Sequence, residues 1–183
     1  MPTNYKRLAV IVAIAAVLIG AFSLVRYRRY AYAKTWHLFH RANFRFGGHE
    51  IQITEPWWVT DVDRSGQILI HRAFRSEVLT EPEIVVGPAS PGTVAEDDGE
   101  QSRIANSAVS TLGNAPQPGW NHKVLAIQAQ EATFFCIETD QTILDIQVST
   151  SLTCNAARFP YSLSYQGPPE WKNEAESIFE TLR

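Results

Sequence analysis

The stretch "LAVIVAIAAVLIGAFSLV", Leu8 to Val25, constrains this chain more than any other, because it runs 18 residues without a charge. As a helix rising about 1.5 Å per residue it covers roughly 27 Å, close to a bilayer hydrocarbon core of about 30 Å. It is apolar on every face, so it suits a membrane span or a fully buried core helix rather than an amphipathic surface helix. Lys6 and Arg7 stand directly before it. The pattern predicts a transmembrane helix over 8–25 behind a short basic tail, 1–7. The rival reading is a cleaved signal peptide, with "AYA" at Ala31–Ala33 as the cleavage site. Arg26, Arg28 and Arg29 lie between that site and the run, which is also longer than the usual 7–15 residues. A retained anchor is therefore the favoured reading.

The residues after the run are basic and aromatic. Arg26, Tyr27, Arg28, Arg29, Tyr30 and Trp36 suit the membrane interface, rings at headgroup level and guanidiniums on lipid phosphates. With no Gly or Pro from Val25 to Ala42, residues 26–43 read as a juxtamembrane helix whose partner is the lipid bilayer. The acids begin only at Glu50. Residues 1–49 carry eight bases and no acid, and the rest carries eight bases against all 19 acids, a net −11. An acidic body argues against a nucleic-acid partner, which needs a basic face to displace counterions.

The flanks disagree about orientation. Counting Lys and Arg on each side of the run places the body in the cytoplasm, whereas the short basic start resembles a signal anchor with its amino end inside. Cys136 and Cys154 weigh on the outward side, since a single pair suits a disulfide, which persists in an oxidising compartment. Two buried free thiols are the alternative.

From residue 44 to 183 the pattern is that of an α+β domain. "NFRFGGHEIQIT" reads as two strands across Gly47–Gly48, a pair that permits a tight hairpin. Trp57–Thr60, Gln67–Phe74 and "EIVVG" read as strands, and "PASPGTVAEDDGE" as a loop. Ile104, Ala108 and Leu112, with Ala105 and Val109, mark a modest amphipathic helix ending near Gly113. "HKVLAIQA", "ATFFCIE", "TILDIQVST" and "FPYSLSYQG" are β-rich. Trp171, Ala175, Ile178, Phe179 and Leu182 then form one face of a closing helix. Strands, helix, strands, helix gives a largely antiparallel sheet flanked by helices.

This order, with "HEIQITEPWWV" leading to a Trp-containing segment and "FPYSLSYQGPPEWKNEAESIFETLR" as last strand, Gly turn and closing helix, resembles the PsbP/Mog1-like family of α/β/α sandwiches, including its anchored bacterial members. The resemblance implies an accessory or binding subunit rather than an enzyme, and implies no particular site residue.

Chemistry-bearing patterns are few. Asp61, Asp63, Ser65 and Gly66 match positions of a calcium loop, but the twelfth position, where Glu should close the site, is Arg72; a β-turn explains the same residues. His37 and His40 are three apart without a third zinc ligand. No nucleophile-elbow, zinc-protease or P-loop motif is present. Trp57–Trp58 has two readings: one ring exposed as an interaction anchor, or both in the core beneath a helix on each face. The expectation is a single-pass membrane protein that needs no cofactor. It displays a non-catalytic interaction domain outside the cytoplasm, on the periplasmic side, to another membrane or extracytoplasmic protein. The alternatives are a small-ligand or metal receptor and a cytoplasm-facing domain on a lipid surface.

Overall fold

The computed structural model describes residues 3–63, 66–73, 81–114 and 117–183, with the side chains of residues 3–9, 15, 19, 22 and 24–26 outside the description. The chain opens with α1 (Thr3–His40), which leads into a two-stranded hairpin of β1 (Asn43–Phe46) and β2 (His49–Gln52). Gly47 and Gly48 turn that hairpin at φ 52 and 90°. A Cβ on Gly47 would also run into the Tyr161 hydroxyl, so the turn needs glycine for conformation and for space.

The main sheet has seven antiparallel strands: β3 (Trp57–Val62), β4 (Ile68–Arg72), β5 (Glu83–Pro88), β6 (Trp120–Gln128), β7 (Thr133–Ile143), β8 (Ile146–Ala156) and β9 (Tyr161–Gly167). Their order across the sheet is β3-β4-β5-β9-β8-β7-β6. Between β5 and β6 the chain forms α2 (Asp98–Gly113), and after β9 a short 3-10 turn leads into α3 (Lys172–Glu180). The expected α+β architecture, an antiparallel sheet flanked by helices, is present.

Alternation along the strands divides the apolar residues between the two faces. On one face Trp57, Ile70, Ile84, Tyr165, Leu152 and Phe134 join Ala175, Ile178 and Phe179 of α3 in the main core. At about 25 cal/mol per Å² of apolar surface, such a layer is the dominant stabilising contribution. On the other face Trp58 packs with Ala33 of α1 and Ala73, beside Tyr30 and Trp36. Farther along the sheet α2 lies against β6, β7 and β8, where Val124, Phe135 and Ile137 are half-buried.

Among the described residues, no helix is long and apolar enough to cross a membrane. This corrects the transmembrane helix expected over 8–25, and with it the anchored family member, the single-pass topology, the lipid-bilayer and membrane-protein partners, and the extracytoplasmic or lipid-surface placements. The physical reason is visible where α1 meets the body. Its last turns belong to the domain: Ala33 is buried and Trp36 packs on Phe44. The cations assigned to lipid phosphates have protein partners, Arg29 bonding Glu81 at 3.1 Å and Lys34 bonding Glu55 at 2.5 Å. Tyr30 packs against the Trp58 cluster, while Tyr27 and Arg28 are exposed. The side chain of Arg26 lies outside the described residues.

Candidate functional site

Cys136 and Cys154 form a disulfide. They stand directly opposite each other in the β7–β8 ladder, both fully buried, so the bridge ties the two longest strands at the centre of the core.

The aromatic pair occupies both sheet faces. Trp57 is fully buried and donates from Nε1 to Glu174 Oε2 at 2.8 Å. Arg72 grips the same carboxylate with two nitrogens, at 2.9 and 3.1 Å, and lies over the Trp171 ring at 4.2 Å. Burial favours the neutral acid, but the hydrogen bonds from Arg72 and Trp57 outweigh it and hold the Glu174 carboxyl below its ordinary 4.5. This latch fastens α3 to the β3–β4 side of the sheet. On the opposite side Glu138, almost fully buried, is met by Lys172 at 3.1 Å and Lys123 at 3.2 Å.

The calcium-loop residues do not converge. Asp61 Oδ1 accepts from the Val62 amide and Asp63 Oδ1 from the Gln67 amide, each at 2.8 Å, as turn residues do. Ser65 lies outside the described residues, and Arg72 is committed to Glu174. His37 donates to the Trp57 carbonyl at 2.7 Å, and His40 stacks on Trp36 while donating to its carbonyl at 3.0 Å. Among the described residues no group of three or more His, Cys, Asp or Glu could hold a metal ion.

A cleft of about 360 Å³ crosses the second sheet face, floored by Val85, Ser164, Thr153 and Ser151 and bounded by Glu83 and Trp120. Two of its polar lining residues are already paired, Glu83 with His71 at 2.9 Å and Thr139 with His122 at 2.9 Å. The small-ligand or metal receptor is corrected on these grounds, since the cleft offers paired polar groups rather than convergent free ones.

One chain of groups mimics catalytic machinery. Thr60 Oγ1, His71 and Glu83 stand in series at 2.7 and 2.9 Å. However, Thr60 Oγ1 also donates to the Leu69 carbonyl at 3.2 Å. Its single proton is therefore shared between that carbonyl and His71 Nδ1, rather than directed at the imidazole alone as an activated nucleophile requires. It also sits exposed, at a bulge between Val59 and Asp61.

The feature that sequence reading missed is the β7–β8 tip. "TILDIQVST" is not one segment: β7 ends at Ile143, Leu144 and Asp145 turn the chain, and β8 begins at Ile146. Both turn residues are left-handed, at φ 50 and 63°, the geometry of a two-residue type I′ hairpin that favours Asn-Gly. Leu144 is 90% exposed, Ile146 67% and Ile143 52%. At the same end of the sheet Trp120, 41% exposed, pairs with Gln141. Gly119 allows this packing, since a Cβ there would run into the Thr142 carbonyl. The signal was weak because Asp145 forms turns but Leu144 does not, and no Asn or Gly marks the pair.

No protein family and no curated protein sequence matches the chain. Among solved structures it is similar to the cyanobacterial PsbP of Synechocystis sp. PCC 6803, at 9% identity and TM-score 0.45, over 77% of this chain and 90% of that one. It is also similar to a Pseudomonas aeruginosa protein of unknown function, at 14% identity and TM-score 0.39, over 76% and 93%. These are likenesses of outline and carry no correspondence of residues.

Proposed function

We propose that this domain acts without catalysis, by docking the apolar β7–β8 tip into a pocket on another protein. One observation carries the reading: among the described residues Leu144 is the most exposed large apolar side chain, and it is held in a left-handed conformation. A left-handed L-residue costs about 1–2 kcal/mol, and that strain is uncompensated by burial in the domain itself. Ile143 and Ile146 flank it and Trp120 stands at the same end of the sheet, the aliphatic and indole surface from which binding anchors are drawn. Asp145 at the tip and the acidic body restrict the partner's rim to neutral or basic residues.

Stability and binding should separate at this residue. Leu144→Asn suits the turn better, so it should raise unfolding stability by about 0.5–1 kcal/mol while abolishing capture of the partner. A photo-crosslinking amino acid at position 144 should join a partner protein, and one at Thr153 should not. Loss of stability in Leu144→Asn, or equal crosslinking from both positions, would show the tip to be structural.

A further inference from the structure

The outer edge of β6 is laid out to receive another strand. Two backbone bonds bracket the β6–β7 ladder, Thr142 N to Gly119 O at 2.6 Å and Ala129 N to Ala132 O at 3.0 Å. In an antiparallel ladder, residues alternate between exchanging hydrogen bonds with their neighbour and turning away from it. The nine β6–β7 pairs run without a register shift, so the odd residues of β6 bond β7. His122, Val124, Ala126 and Gln128 turn their N–H and C=O groups outward, and no described strand lies on that side.

Edge strands in monomers are blunted by bulges, prolines, short length or charges that point outward. β6 has none of the first three. Its one formal charge, Lys123, is drawn onto the sheet face by Glu138 at 3.2 Å. The opposite edge shows what guarding looks like. β3 carries a bulge, exposed Asp61 and a backbone carbonyl already bonded by His37.

The geometry points to a second copy of this chain as the occupant, its β6 lying antiparallel to this β6 about a two-fold axis at Val124. In that register His122 faces Ala126 of the other copy and Lys123 faces its Leu125, so no like charges meet. His122, Val124 and Ala126 of each copy then bond through both backbone groups. A register centred on Lys123 would set two lysines opposite each other and is disfavoured. Of the apolar middle of the strand, "VLAI", Val124 meets itself on the axis, while Leu125, Ala126 and Ile127 lie opposite Lys123, His122 and Asn121. This interface goes beyond the docking tip and shares only Trp120 with it, opposite Gln128 of the other copy.

The test uses the full chain. Sedimentation velocity across concentration should show a monomer–dimer equilibrium. Ala126→Pro removes an outward N–H and leaves the β7 bonds intact, as proline is tolerated on a strand's solvent side. It should weaken dimerisation at least about tenfold with the melting temperature of the monomer unchanged. If that variant folds poorly, Val124→Cys decides instead. The facing α-carbons of a bonded pair lie about 5.5 Å apart, within disulfide range, so oxidation should give a covalent dimer. Leu144→Asn should dimerise normally. A wild type monomeric at every concentration overturns the proposal. So does a dimer that ignores Ala126→Pro and does not crosslink at 124, which would place assembly on α1 or the tip. Edge pairing with a peptide of another protein while the chain stays monomeric overturns it too.

Discussion

At the β3 edge of the sheet the chain places a bulge, exposed acids, the last turns of α1 and a histidine on a strand carbonyl. At the β6 edge it leaves nine regular residues and tethers their only formal charge out of the way. The interiors behind the two edges are also held differently. The β3–β4 side is fastened to α3 by the Arg72–Glu174–Trp57 latch, whereas the β7–β8 side is fastened by a covalent bridge. A guarded edge backed by polar contacts and an open edge backed by a disulfide confine association to one end of the sheet.

The contrast breaks most readily at the bridge. Replacing Cys136 and Cys154 by serine should cost about 3 kcal/mol on the chain-entropy account of a loop of this length. Chemical denaturation should show that loss, and hydrogen exchange should place the new local openings in β7–β8 rather than β3–β4. Equal loosening at both sides would mean the two halves are not held independently.

A smaller effect is expected on the guarded side. Glu174→Gln should cost about 1–2 kcal/mol, since one charge-assisted grip is weakened at a site that is partly screened by solvent. Glu174 titrates lower in the folded chain than in the unfolded one, so its contribution is fully present above 4.5 and is lost as pH falls through the folded value. Stability measured from neutrality to below pH 4 should therefore fall less steeply in Glu174→Gln than in the wild type. Parallel curves would remove the latch from the account.

The smallest expected change sharpens the guard itself. His37→Ala should cost about 1 kcal/mol by leaving the Trp57 carbonyl without its partner. It should also make β3 amides exchange faster without altering those of β6.

How far the sequence could be read depends on where each signal was local. Gly47–Gly48 announced its hairpin, and the spacing of Trp171, Ala175, Ile178, Phe179 and Leu182 announced the buried side of the closing helix. In α2 the apolar period misled at one position. Leu112 is exposed, while Gln101 is buried because its amide accepts from Ala95 N and donates to the Thr93 carbonyl, each at 2.8 Å. The apolar run 8–25 argued for a bilayer from composition. That Arg29 and Lys34 reach across to Glu81 and Glu55 depends on tertiary structure that composition does not encode. The β7–β8 tip stayed hidden for a different reason. A left-handed leucine breaks the turn rules that make hairpins legible, and that departure is what marks it as a candidate site.

The most direct measurement is amide hydrogen exchange along β6 as a function of protein concentration. The odd-numbered amides bond β7 and should be protected at every concentration. The amides of His122, Val124 and Ala126 should exchange freely when dilute and become protected as the chain is concentrated, while β3 stays unchanged. Unprotected even amides at all concentrations, or protection rising equally at β3, would contradict an open β6 edge that pairs with a second copy.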